Sequence, residues 1–224
     1  MMQHSPLTSA VLFHIGPVAI TRPVVTTWIT IVVLTLVCRI VTAHLTRLPD
    51  RRQAMLEALV IGISSEIEAV IRKDARPFLP LIATLFIFLV LTNLSGLIPG
   101  VEAPTARIET PAALAVIVFF SVHYFGIRAR GLRGYLASFA QPKPIMLPLN
   151  LLAEITRTFS LMVRLFGNVM SGEFIIGLVV ALAGLFVPVP LMALELLVGV
   201  VQAYIFTVLA TVFIGAAVGS VTTH

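Results

Sequence analysis

The sequence predicts an all-α integral membrane protein: about five membrane helices, an amphipathic surface helix, and a last pair of helices forming a long, strongly tilted hairpin. Three observations predict it. The 224 residues are 58% hydrophobic and 11% charged, against roughly 45–50% and about 25% in soluble domains. So few charges cannot cover the surface of a soluble protein this size. The apolar residues fall in long charge-free runs. Those runs are continuous, whereas a membrane barrel would show short alternating segments. Cys38 is the only cysteine, which excludes a disulfide scaffold, and the apolar content excludes disorder.

The elements follow in order along one membrane domain, 1–224. Residues 1–22 are read as an external N-terminal segment. They lack the basic start of a signal peptide, and Pro17 interrupts their apolar stretch. Residues 23–45 form the first span. In 51–73, Arg51, Arg52, Glu57, Glu66, Glu68, Arg72 and Lys73 interleave with Leu56, Leu59, Ile63, Ile67 and Val70. That spacing predicts an amphipathic helix on the cytoplasmic surface. Charge-free runs then place spans at 78–99 and 110–128. Two longer helices, 148–186 and 191–220, are separated by Val187-Pro188-Val189-Pro190, which forbids continuous helix. Their lengths, about 58 and 45 Å, exceed a hydrocarbon core of about 30 Å, so steep tilt is expected.

The charges set the orientation. Arg39, Arg47, Arg51, Arg52, Arg72, Lys73 and Arg76 lie between the first and second spans, and Arg128, Arg130, Arg133 and Lys143 between the third and fourth. The opposite loops carry only Arg22, Glu102, Arg107 and Glu109. The positive-inside rule puts the basic loops in the cytoplasm, the N-terminus outside and the C-terminus inside. Topology and contact with lipid headgroups then account for the pI near 10.1 without nucleic acid.

The last two helices carry polar groups where a span should have none. The fourth has Asn150, Glu154, Arg157, Ser160, Arg164, Asn168 and Glu173; the fifth has Glu195 and Gln202. At 100° per residue, Arg157, Ser160, Arg164, Asn168 and Ser171 share one narrow stripe, and Glu173 falls on the opposite face. Glu195 and Gln202, seven apart with Gly199 between, share a face of the last helix. Ionisable groups at membrane depth usually face a cavity or partner. Arg164 is a permanent cation that cannot relay protons; Glu173 and Glu195 can exchange them. The layout suggests an ion path lined by carboxylates with a fixed positive barrier beside it. Plainer readings stand beside this one: Glu154 and Arg157 snorkelling to the headgroups, Arg164 in a structural ion pair, Glu195 a protonated packing carboxyl, Gln202 an interhelical hydrogen bond. No P-loop, G-x-S-x-G or HExxH occurs, and neither His44 nor His123 has neighbours at metal-ligand spacing. The chain is therefore read as having no catalytic site, cofactor or metal of its own.

The run Ser160-Leu161-Met162-Val163-Arg164-Leu165-Phe166-Gly167-Asn168, followed by Gly172-Glu173, resembles the signature of subunit a of the F-type ATP synthases. Similar pieces occur in the family's order: Asn93-Leu94-Ser95-Gly96-Leu97-Ile98-Pro99, Gly134-Tyr135-Leu136, Pro148-Leu149-Asn150 and Gln202-Ala203-Tyr204-Ile205-Phe206. The resemblance implies the membrane stator of a rotary motor, with a ring of c subunits, the b subunits of the peripheral stalk and other synthase subunits as partners. It implies two half-channels offset around the ring, with Arg164 preventing a short circuit between them. It also implies ion-path roles for Asn168, Glu173, Glu195 and Gln202. Asn150 stands where an acid is common in the family, and Glu173 and Glu195 are both acids where many members have a His at one position. The coupling ion is left between H+, which family frequency favours, and Na+. Arg outnumbers Lys 13 to 2 and no transit peptide is present, which favours a bacterial plasma (inner) membrane. The alternative function is a self-contained secondary transporter, but the two halves show no inverted repeat.

Overall fold

The computed structural model describes residues 11–15, 18–42, 51–96, 103–139, 145, 147–184 and 187–219. Pro17, His44, Arg47, Leu97 to Pro99, Glu102 and Lys143, singled out in the sequence, lie outside these residues. The described chain is helical apart from one small ribbon. Strands β1 (Val11–Ile15) and β2 (Val18–Thr21) pair antiparallel within the segment expected to be plain external chain. Their Val, Ile and Phe content suits a pleated ladder. The ribbon feeds directly into α1 (Arg22–Thr42).

Helix α2 (Arg51–Ile71) does more than lie on a surface. Ile67 and Ile71 are fully buried, with Ile63 and Val70 packed beside them. It stops at Arg72, whose φ of 55° lies in the left-handed region and whose N–H donates to Glu68 O at 2.8 Å. Helix α3 (Leu79–Ser95) has Pro80 in its first turn, where no intrahelical donor is needed. It ends before a 3₁₀ turn at Pro104–Ala106.

Helix α4 (Glu109–Phe139) continues well past the 110–128 span expected from hydropathy. It is not one straight rod. Gly131, at φ 73° and ψ 160°, breaks it. The rings of Tyr135 and Phe139 come within 5.8 and 6.4 Å of the His123 ring. Twelve residues of unbroken helix would separate His123 from Tyr135 by about 18 Å, so the chain folds back on itself at Gly131. Gly126 makes the fold-back possible, since a Cβ there would sit 2.8 Å from Tyr135 Cδ2. The loop expected over 128–143 is thus largely helical, with a glycine rather than a polar run as its punctuation.

Helices α5 (Leu147–Ala183) and α6 (Val189–Val218) form the hairpin, at about 55 and 45 Å in length. Gly184, at φ 81°, closes α5 before the prolines are reached, its N–H donating to Val180 O. Pro188 caps the start of α6. At the other end Gly219 adopts φ 78°, and two cations lie on the last carbonyls: Lys73 Nζ at 3.5 Å from Val218 O and Arg130 Nη2 at 3.3 Å from Ala216 O. Both complement the negative end of the helix dipole.

Helix α6 is the hub. Ala203, Phe206, Ala210 and Ile214 are wholly buried against Ile82 and Leu89 of α3, Leu114 and Val118 of α4, and Leu161 and Leu165 of α5. Helices α4, α5 and α6 are each long and apolar enough to cross a membrane, and α1 and α3 are shorter apolar helices. Helix α5 is the least covered of the three: 11% of its most apolar stretch is buried, against 39% for α4 and 44% for α6. Its outward side is a run of large aliphatic and aromatic groups, including Leu152, Phe159, Phe174 and Leu182.

Candidate functional site

The buried seam of α5 is Leu161, Leu165 and Val169, spaced by one turn and facing the bundle. Arg157, Ser160 and Arg164 stand off this seam and are exposed. Among the described residues, no carboxylate lies in salt-bridge range of Arg164. Its charge is presented outward, on a polar stripe it shares with Arg157, Ser160 and Ser171, beside a broad apolar face.

Cavities touch α5 on either side of Arg164, the first lined mainly by polar groups and the others mainly apolar with a few polar groups among them. The first, of about 410 Å³, is lined by Tyr135 and Ser138 beyond the Gly131 break and by Asn150, Glu154 and Arg157 of α5. Glu154 is buried, at 8% exposure, although it is a carboxylate. It is held by Arg157, whose Nη1 lies 3.6 Å from Glu154 Oε2 and whose guanidinium stacks 5.5 Å from the Phe213 ring centroid. Asn150 Nδ2 donates to Phe139 O at 2.8 Å and ties the fold-back to the start of α5. Snorkelling to solvent does not describe Glu154; it points into this cavity.

At the other end, a constriction of about 20 Å³ is lined by Asn93, Asn168, Glu173, Glu195 and Gly199. That volume holds about one water molecule. A wider cavity of about 160 Å³ shares Asn168 and Glu195 with it. The Glu195 side chain reaches across to α5 and lies against Gly172, where a Cβ would be 2.8 Å from Glu195 Cδ. Glu173 Oε1 accepts the Ala103 N–H at 3.4 Å.

The helical wheel separates Glu173 from Asn168, yet the structure brings both to one constriction. Val169 explains this. It faces the bundle, Glu173 is one turn beyond it, and Asn168 is its neighbour on the other flank, so the two polar groups straddle the seam. Gln202 is set apart from both cavity linings. It is buried at 7% exposure, and its Nε2 has no hydrogen-bond partner among the described residues. The contacts of Gly172 with Glu195 and of Arg157 with Phe213 fix the antiparallel register. In that register Gln202 falls level with Leu165 to Asn168, just past Arg164. Sequence reasoning gave no role in the path to Asn93, Thr105 or Gly172. An Asn inside the charge-free run 77–101, and the place of Asn93 and Gly172 in the stretches that resemble subunit a, are the signals the sequence offers.

The family model for the ATP synthase A chain matches residues 24–215. A protein named ATP synthase subunit a 2, from Bradyrhizobium sp. (strain BTAi1 / ATCC BAA-1182), is 80% identical over 98% of this chain and 99% of its own. A second of that name, from Pelobacter propionicus, is 46% identical over 95% of this chain and 93% of its own. ATP synthase subunit a of Nitrosospira multiformis is 41% identical over 92% of this chain and 83% of its own. The chain belongs to this family.

Proposed function

We propose that this member of the ATP synthase A chain family is the membrane stator of a rotary ATP synthase and supplies the two ion half-channels to a ring of c subunits. It has no catalytic site of its own in this reading and serves the complex as a subunit. The observation that carries the proposal is the placement of Arg164: an exposed cation on a largely apolar helix, with a cavity that includes a carboxylate in its lining along the same helix on each side. Along α5, Arg164 is about 10 Å from Arg157 and about 6 Å from Asn168. A ring carboxylate passing this face meets Arg164 between the two cavities. The permanent cation attracts the ionised carboxylate and repels a free cation, so ions cross only by riding the ring. Glu173, Asn168 and Glu195 serve the outer path, and Glu154, with Arg157, Ser160 and Asn150 nearby, serves the cytoplasmic one. Gln202 lies beside the barrier. The b subunits and the remaining synthase subunits are the other partners, in a bacterial plasma membrane.

The orientation is that of the basic loops, with the Gly131 fold-back in the cytoplasm. In a Cys38→Ser background, a cysteine at Ala137 is expected to react with an impermeant thiol reagent only in inverted vesicles, and one at Glu109 only in intact cells. Labelling of Ala137→Cys from outside intact cells would overturn this topology.

Protons are the proposed coupling ion. Glu173 and Glu195 line one small cavity, and a carboxylate can take up and hand on a proton by itself, whereas a sodium ion needs several oxygen ligands. Inverted vesicles carrying the complex should acidify their lumen on ATP addition without sodium, and lose the activity when this chain is deleted. Transport that needs millimolar sodium and survives a protonophore would reverse the choice of ion while leaving the stator role. Transport that is unchanged by the deletion would remove the stator role itself.

A further inference from the structure

Residues 103–106, ahead of α4, are buried as deeply as the core. Ala103 is 1% exposed, Thr105 0% and Ala106 5%. A polar side chain without access to water must find a partner. Thr105 Oγ1 donates to Asn93 Oδ1 at 2.9 Å, and Asn93 Nδ2 donates to Gly199 O at 2.8 Å. Gly199 leaves the room for this, since a Cβ there would sit 3.1 Å from Asn93 Cβ. The 3₁₀ turn is thereby tied to α3 and, through Asn93, to α6. At its start, the Ala103 N–H is directed at Glu173 Oε1 on α5.

We propose that Thr105 is a positioning residue for ion access: it pins the 103–106 turn so that the Ala103 amide holds the Glu173 carboxylate at the constriction shared with Glu195. This rests on the outer half-channel reading given above. A donor fixed on a buried turn favours the carboxylate orientation that faces the constriction; at 3.4 Å the contact is long, so small shifts of the turn change it readily. Removing the Thr105 hydroxyl leaves Asn93 Oδ1 without its donor and frees the turn to shift. The effect then reaches Glu173 although Thr105 never touches the ion.

The test uses the whole complex in membrane vesicles and measures ATP synthesis against coupling-ion concentration on the outer side. Thr105→Val is expected to raise the half-saturating concentration about fivefold, with the maximal rate within about twofold of wild type. Thr105→Ser keeps the hydroxyl and should restore the wild-type value. In a Glu173→Gln background, Thr105→Val should add no further shift, because the two residues act in series. A purely structural role would lower the amount of complex and the maximal rate together without moving half-saturation, and that result overturns the proposal. So does a Thr105→Val shift of equal size in both backgrounds. Should Thr105→Val not assemble, Thr105→Cys carries the same comparison with a weaker donor. If Glu173→Gln alone changes nothing, the outer-channel reading of Glu173 fails; if it acts and Thr105→Val is inert, only the present inference fails.

Discussion

Arg164→Ala is expected to abolish both ATP synthesis and ATP-driven ion transport while the complex still assembles. Assembly survives because the packing groups of this stretch are Leu161 and Leu165, which are buried, whereas Arg164 is exposed. Activity does not survive, because nothing else described on this stretch of α5 supplies a fixed cation between the two cavities. Breaking a desolvated ion pair costs roughly 3–5 kcal/mol, which sets the loss at about 100-fold or more. Arg164→Lys should fail as well: the ammonium is a compact point charge that can lose its proton, and the planar fork is gone. Coupled synthesis near wild-type rates in either variant, with normal amounts of complex on a native gel, would remove Arg164 from its central place.

The second large effect is expected at Glu195. Its carboxyl extends across the hairpin to Gly172 and lines both the constriction and the wider cavity beside it. Glu195→Leu removes the titratable group shared by these two cavities. If that group carries protons, flux should fall by about 100-fold, the scale of a lost general acid–base. Glu195→Asp and Glu195→His keep a titratable group and should retain part of the flux. Gly172→Val gives an independent check, because its side chain would occupy the space the carboxyl now fills. It should impair transport without altering any titratable residue. A fully active Glu195→Leu would mean that the carboxyl only packs.

The fold class was legible because it depends on composition and on long apolar runs, which are local properties of the chain. The turn chemistry was less so. Gly131 reverses α4 in the middle of a charged stretch that reads as loop, and Gly184 ends α5 ahead of the prolines that draw attention. Arg164 stood out in the sequence because a charge in an apolar run needs no partner to be noticed. The joint placement of Asn168 and Glu173 was not legible, because a wheel measures angles around one helix and the constriction is formed by three helices and a turn. Asn93 and Thr105 are linked by a hydrogen bond whose meaning comes from Gly199, 106 positions beyond Asn93, and no local pattern announces such a link.

The uncovered side of α5 has a mechanical consequence on the proposed reading. Hydrophobic contact is non-directional, whereas a hydrogen bond weakens steeply when misaligned. A ring turning against Leu152, Phe159, Phe174 and Leu182 therefore meets nearly constant adhesion at every angle, as in an oiled bearing. Arg164 is a directional feature at the margin of that track, so it acts as a detent that the rotor meets once for each of its subunits. Friction comes from the grease and stepping from a single charge. Polar side chains added elsewhere along this side should roughen the rotation even where they leave the ion path untouched.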